Sequence, residues 1–372
     1  MRNVPFYKHH LGTEEISSVS EVIKSTFLTT GPKTKEFEEE FSNLMGVKYT
    51  SGVNSWTNGA IVTLKALGIG LGDEVITTPM SFIATSNVIE HVGATPVFVD
   101  VEKNTGNMDA TKINQVINKK TKAILPVHLY GQMCDMVTIN KIAKKNNIFV
   151  IEDAAHCVDS ERDNIRPGEL SDAAIFSFYA TKNISSGEGG AVVTNNEELY
   201  LKIKKLRLHG MNASAIDRYS SSYKHWDMDV LGYKSNMSDI QAALLLPQIK
   251  KIKSIQSMRK SIFEEYVSHF DRSVIKIPEI IKNTRHSYHL FTIWVPSDRD
   301  EILEKLQSKG IGVAVNYRSI HILKYYKKKY NYKDSSFPNS YAIGESTISL
   351  PFYPSLDVED IKYVSDTLKS FF

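Results

Sequence analysis

The chain has 372 residues, long enough for roughly two domains and a sizeable buried core. At 42% hydrophobic and 23% charged residues it reads as an ordinary globular protein, and its net charge of +3 is too near balance to draw nucleic acid or a membrane surface. Cys134 and Cys157 match no zinc or disulfide spacing, and no apolar stretch approaches the ~20 residues of a membrane span. The expectation is a cytoplasmic protein, neither secreted, membrane-embedded nor disulfide-stapled.

In chain order, Thr13 is placed to cap a first helix, with Glu14 and Glu15 suiting the positive end of its dipole and Ile16, Val19, Val22 and Ile23 as its apolar face. A turn is predicted over residues 28–32. Ala60, Ile61, Leu64 and Leu67 lie at helical spacing, stopped by Gly68. Residues 75–78, 97–99, 123–127 and 148–151 are apolar without alternation and rich in β-branched side chains, as in strands buried on both faces of a mostly parallel sheet. Helical stretches such as residues 139–145 separate them, so the prediction is an α/β layered domain. Ser238 with Gln241 forms a capping-box signal that opens a long helix through Ile262, with a kink or break expected at Pro247. A strand over 288–295, a helix bearing Ile302, Leu303 and Leu306, a strand over 312–317 and a last helix bearing Val358, Ile361, Val364 and Leu368 follow. The predicted organisation is a large domain over residues 1–250 and a smaller α+β unit over 251–372, with no internal repeat.

Three segments could carry chemistry. Lys182 leaves an apolar strand candidate, with 191–193 as the next strand, for a turn rich in glycine, which places it inside the fold. Burial lowers a lysine's pKa, and the neutral amine can condense with an aldehyde; a solvated surface lysine is the plain alternative. Asp153 and His156 follow a strand at the sheet edge where open α/β sheets bind ligands. A carboxylate there can pair with a protonated ring nitrogen, as the pyridinium of pyridoxal phosphate requires, or simply cap the next helix. His156 could reach the phenolate oxygen of that cofactor or be a packed histidine. Residues 54–59 precede the helix of Ala60 and could form an anion site at its N-terminus, or an ordinary cap. Phe82 could stack on a flat ring or belong to the core. The basic and aromatic run at 324–330 is read as a solvated face, and no GxxxxGK[ST], GxGxxG or HExxH motif occurs.

Taken together, NSWTNG at 54–59, SFIATSN at 81–87, EDAAH at 152–156, FSFYATKN at 176–183 with GEGG at 187–190, and GYKSNMSDIQAA at 232–243 resemble the DegT/StrS-type nucleotide-sugar aminotransferases. These are pyridoxal-phosphate enzymes of the aspartate aminotransferase fold, fold type I. The similarity runs from FLTTGP at 27–32 through HGM at 209–211 to SLPFYP at 349–354. It implies a large domain with a mostly parallel mixed sheet, and a homodimer with active sites at the interface. Lys182 matches the lysine that holds the cofactor covalently and then shuttles the proton, and Asp153 the acid opposite the ring nitrogen. Phe82 falls where an aromatic covers the ring, and His156 where a side chain approaches the phenolate oxygen. Thr57, Asn58 and Ser177 match phosphate contacts, and Asn236 a phosphate contact from the other subunit. Thr29, Thr30 and His321 are candidate contacts to a nucleotide lying across the dimer interface, though His321 could equally be a structural histidine.

Many members read GYNYRM where this chain has GYKSNM at 232–237, a form resembling the branch that aminates C4 of the sugar. Trp56 also stands where a small residue is usual. The resemblance implies transfer from L-glutamate, by way of pyridoxamine phosphate, to a 4-keto-6-deoxy nucleotide sugar. The best candidate is dTDP-4-keto-6-deoxy-D-glucose, for O-antigen or other surface-polysaccharide amino sugars. C3 amination and a UDP-linked substrate stay open. Related dehydratases carry His where this chain has Lys182, and a non-enzymatic sugar-binding role would not require Lys182, Asp153, Phe82 and Ser177 together.

Overall fold

The computed structural model describes residues 2–212 and 225–372. Helix α1 (Thr13–Ile23) begins one residue beyond its cap. Gly12, not Thr13, occupies the N-cap, and the Glu15 carboxylate reaches back to accept its N–H at 2.7 Å. Of the predicted apolar face only Val22 is buried in this chain, while Ile16 and Ile23 are 70% and 64% exposed. The predicted turn leads into α2 (Pro32–Met45), with Pro32 at its first position, where the missing N–H costs nothing. The remote Asp239 carboxylate accepts from the N–H groups of Gly31 and Thr34 at 2.8 and 2.9 Å, placing an anion at the positive helix end.

Seven strands form the main sheet: β1 (Tyr49–Val53), β2 (Glu74–Thr77), β3 (Thr95–Phe98), β4 (Thr121–Ile124), β5 (Phe149–Asp153), β7 (Ala173–Ser177) and β8 (Gly190–Thr194). The two-residue β6 (Glu161–Arg162) pairs elsewhere, with Thr284–Arg285. The spatial order is β1-β8-β7-β5-β4-β2-β3, and β8 alone runs against the rest. The expected α/β fold with a mostly parallel mixed sheet is therefore present. Alternate side chains feed two cores: Ile76, Ile124, Val150 and Phe176 join the one that holds α2 and the helices Met136–Asn146 and Asp239–Lys250, and Val75, Ala123, Ile151 and Ile175 join the one that holds α3 (Trp56–Ala66) and the helix Ala84–His91. Burial on both faces is why these strands carry no polar alternation.

Three later elements depart from expectation. The long helix breaks at Lys251, not at Pro247, which stays inside the helix Asp239–Lys250; packing against α1 and α2 holds that helix together across one missing hydrogen bond. The strand expected over 288–295 shrinks to Phe291–Trp294, because Tyr288 sits at φ 47°, outside any strand conformation. Residues 312–317 form no strand: the segment is pinned at single points, Ile311 to Val4 and Ala314 to Ser349, so no ladder develops. Phe291–Trp294 instead pairs antiparallel with Thr347–Leu350, and the helices Arg299–Ser308 and Val358–Lys369 complete a further core that includes Val4. The basic run forms the helix Lys324–Tyr330, but not a wholly solvated one. Tyr326 is buried and donates to Asn87 Oδ1 at 2.7 Å, while Lys329 and Tyr330 both contact Glu90 of α4 (Ala84–His91).

Candidate active site

The C-terminal ends of the parallel strands converge on one cavity of about 540 Å³. Asp153, the last residue of β5, is almost wholly buried in its wall. Thr85 Oγ1 donates to Asp153 Oδ2 at 2.9 Å, and the Ala155 N–H donates to Oδ1 at 3.2 Å. Because the Thr85 proton goes to Asp153, Ser81 must donate to Thr85 Oγ1 across their 2.7 Å contact. Burial raises the proton affinity of Asp153, opposed by these donors and by the charge of Lys182. A carboxylate destabilised in this way gains from pairing with a cation placed against it.

Lys182 lies in the loop between β7 and β8 and lines the same cavity. Its loop is held from behind by Gln248, which accepts from the Ser185 N–H at 2.9 Å and donates to the Ser185 carbonyl at 2.8 Å. Burial lowers the Lys182 pKa to about 8, with Asp153 pulling the other way. In the cofactor-free protein the neutral, nucleophilic amine therefore becomes the major form above about pH 8 rather than above 10.5. Reductive methylation followed by peptide mass spectrometry should show Lys182 labelling with a midpoint near that pH. Labelling that climbs only with the exposed lysines would contradict the assigned burial.

Around these two groups, Ser55 caps α3 by accepting from the Asn58 N–H at 3.1 Å, leaving the first N–H groups of the helix without intrahelical partners. Ser55, Thr57, Ser177 and Gly189 line the cavity there, a donor-rich end suited to a phosphate. Gly190 makes this approach possible, since a Cβ there would stand 2.7 Å from the Ser55 carbonyl carbon and 2.8 Å from the Trp56 nitrogen. Trp56 also lines the cavity.

His156 is buried and lines the cavity; its Nδ1 accepts from the Tyr130 N–H at 3.2 Å. Burial, with Lys182 nearby, lowers its pKa well below the usual value, so the neutral ring carries its proton on Nε2 and donates it to Tyr317 Oη at 3.2 Å. Beneath the site the buried Glu152 accepts from His128 Nε2, the Gly168 N–H and Ser171 Oγ at 2.6, 2.7 and 2.5 Å, locking β5 to its neighbours. Phe82 is 56% exposed at the cavity, its ring centroid 6.0 Å from that of Tyr317.

Lys182, Asp153, His156, Phe82, Thr57 and Ser177 thus meet in one cavity. Asn58 stands beside it but turns its amide to Asn54 Oδ1, 2.9 Å away. Thr29, Thr30 and Asn236 form a separate cluster outside the cavity wall, with Asn236 Nδ2 donating to Thr30 Oγ1 at 2.6 Å and Lys234 Nζ donating to Asn236 Oδ1 at 2.7 Å. For His321 the structure favours the packed-histidine alternative over the nucleotide contact. The residue is fully buried, 2.7 Å from Ser319 Oγ and 3.1 Å from the Asp334 carbonyl, edge-on to Phe337, and cannot reach the cavity. Sequence reasoning placed Ser55 within the anion-site segment 54–59 but missed Ser81, Thr85, Tyr317 and Phe6. Thr85 sits three residues after Phe82 in a motif already noted, whereas nothing local marks Phe6 or Tyr317.

A lysine, a buried carboxylate and a hydroxyl-lined helix N-terminus around one cavity fit pyridoxal phosphate: an amine for its aldehyde, an anion for its ring nitrogen, and N–H and hydroxyl donors for its phosphate. Residues 9–369 match the model of the DegT/DnrJ/EryC1/StrS aminotransferase family. The chain belongs to that family. It is similar to the spore coat polysaccharide biosynthesis protein SpsC of Bacillus subtilis, at 41% identity over 98% of this chain and 96% of that one. Among solved structures it resembles the PLP form of the putative sugar aminotransferase Spr1654 from Streptococcus pneumoniae, with a TM-score of 0.92 and 32% identity over 99% of this chain and 98% of that one. It also resembles Helicobacter pylori PseC, an aminotransferase involved in the biosynthesis of pseudoaminic acid, with a TM-score of 0.92 and 30% identity over 100% and 99%. This DegT/StrS-family chain is a pyridoxal-phosphate-dependent sugar aminotransferase of fold type I. Among its described residues, no helix is long and apolar enough to cross a membrane.

Proposed function

We propose that this aminotransferase moves the amino group of L-glutamate to C4 of a 4-keto-6-deoxy nucleotide sugar, with dTDP-4-keto-6-deoxy-D-glucose as the leading candidate. The observation that carries the reading is the placement of Lys182, Asp153 and the hydroxyls of Ser55, Thr57 and Ser177 around one cavity. GYKSNM at 232–237 supports C4, and the likeness to a spore coat polysaccharide protein supports a product destined for surface polysaccharide, made in the cytoplasm.

Pyridoxal phosphate supplies an electron sink for the charge left when a proton departs from the carbon bearing nitrogen. The residues do the rest. Lys182 Nζ holds the cofactor and then moves that proton, for which its lowered pKa suits it. Asp153 keeps the ring nitrogen protonated, braced by Thr85 and Ser81. His156 would stand on the phenolate side of the ring and Phe82 would cover its face, while Thr57 and Ser177 would serve the phosphate end, with Asn58 beside them once its amide turned from Asn54. Residues 1–250 form the cofactor domain in this reading and 251–372 the smaller unit, with Val4 packed into the latter's core. Incubation with L-glutamate and a panel of dTDP-, UDP- and GDP-linked keto sugars tests the reading. Amination of 4-keto-6-deoxy sugars is expected, and conversion of 3-keto sugars alone would overturn the C4 assignment.

The working unit in this proposal is a homodimer. The exposed Ile16 and Ile23 of α1 offer an apolar surface, and Asn236, which does not line its own chain's cavity, serves the partner's phosphate together with Thr29 and Thr30 beside the nucleotide. Mixing inactive Lys182→Ala and weakened Asn236→Ala subunits should restore activity, because one of the two hybrid sites regains both residues. Mixtures no more active than Asn236→Ala alone would argue against a shared site.

A further inference from the structure

One wall of the cavity comes from the N-terminal segment. Phe6 lines the cavity and, with Tyr317, packs against a hydrophobic cluster that includes Met80, Tyr130, Leu290 and Trp294. Its backbone is fixed along a track. The Val4 N–H donates to the Gly310 carbonyl and the Gly312 N–H donates to the Val4 carbonyl, both at 2.8 Å, and the Phe352 N–H donates to the Phe6 carbonyl at 3.4 Å. A Cβ at Gly310 would stand 2.3 Å from the Arg2 carbonyl oxygen, and one at Gly312 would stand 2.3 Å from the Phe6 nitrogen, so both glycines leave room for this strap. At its outer end Arg2 meets Asp357, Glu359 and Asp360 of the last helix at 3.6, 3.7 and 2.5 Å.

We infer that residues 2–6 act as a strap that holds Phe6 in place as the wall against which the acceptor's sugar ring lies. This rests on the sugar-acceptor reading above. Lys182, Asp153, Ser177 and Thr57 meet the demands of the cofactor, with Phe82 beside its ring; the other aromatic lining residues are Phe6, Trp56, Tyr179 and Tyr317, and of these Phe6 alone comes from the N-terminal segment. A pyranose presents C–H groups on its face, and a 6-deoxy sugar adds a methyl group; both gain from an aromatic surface that excludes water. A dicarboxylic amino acid gains nothing from a phenyl ring. The strap therefore discriminates between the two half-reactions: Phe6 contacts the acceptor, and Arg2 is a positioning residue that acts through Phe6.

The test compares holoenzyme carrying Phe6→Ala, Phe6→Tyr or Arg2→Ala with the parent. It measures each half-reaction separately, and calorimetric affinity for dTDP-glucose and UDP-glucose as non-reacting probes. Phe6→Ala should weaken probe binding and acceptor kcat/KM by roughly tenfold and Arg2→Ala by roughly threefold, with the glutamate half-reaction within about twofold of the parent. Phe6→Tyr, which keeps the ring, should restore most of the affinity. Parent-like probe affinity and acceptor kinetics in Phe6→Ala, or an equal loss in both half-reactions, would overturn the strap's role while leaving the proposed function standing. A parent that processes glutamate yet binds neither probe and aminates no sugar would instead defeat the acceptor reading, and the strap's role with it.

Discussion

Replacing Lys182 by Ala should lower turnover by at least about a thousandfold while leaving the protein folded. Among the described residues the variant loses the only lysine amine lining the cavity, and with it the group proposed both to anchor the cofactor and to move the proton. The fold does not depend on that amine: the Lys182 N–H still donates to the Tyr179 carbonyl, and Gln248 still holds the loop at Ser185. A lysine whose folded pKa is lowered to about 8 carries a full burial penalty below that pH, when folded and unfolded chains are both charged; the penalty shrinks as pH rises from there to the unfolded value of 10.5 and is gone above it. Removing it at neutral pH should therefore leave the melting midpoint near the parent's or above it. Thermal melts and both half-reactions check this, and near-native turnover by Lys182→Ala would defeat the assignment.

Asp153→Ala should cost roughly a hundredfold or more in turnover, because a ring nitrogen without a facing carboxylate loses its proton and withdraws electrons poorly. The buried hydroxyl of Thr85 also loses its acceptor, so Asp153→Asn is the sharper variant: it preserves shape and an oxygen for Thr85 but removes the charge. Both should bind cofactor and both should be slow. Undiminished transamination by Asp153→Asn would count against the charge having a role.

The strands of the main sheet other than β1 were legible because burial on both faces leaves unbroken apolar runs, whereas β1, with the sequence YTSGV, offers none; Lys182, Asp153 and Phe82 stood out because each lies just past such a run or inside a motif. Boundaries were less so. The break expected at Pro247 moved to Lys251 because α1 and α2 support that helix from outside, and the cap expected at Thr13 moved to Gly12 because Glu15 can reach it. His321 looked like a ligand because histidine serves both purposes, and only the closing of Ser319, Asp334 and Phe337 around it reveals a packed side chain.

The sequence by itself determined the alternation of strands and helices, which follows from periodicity within a few dozen residues, and it marked Lys182 and Asp153 as candidates at the sheet edge, where the resemblance to the family's motifs supplied their expected roles. Which other groups reach that amine and acid was decided by tertiary structure. Thr85 meets Asp153 across 68 residues, Tyr317 meets His156 across 161, and Phe6 arrives from the opposite end of the chain along a track of glycines. Such meetings depend on where loop ends stop against one another in three dimensions, and local residue patterns carry no record of that distance.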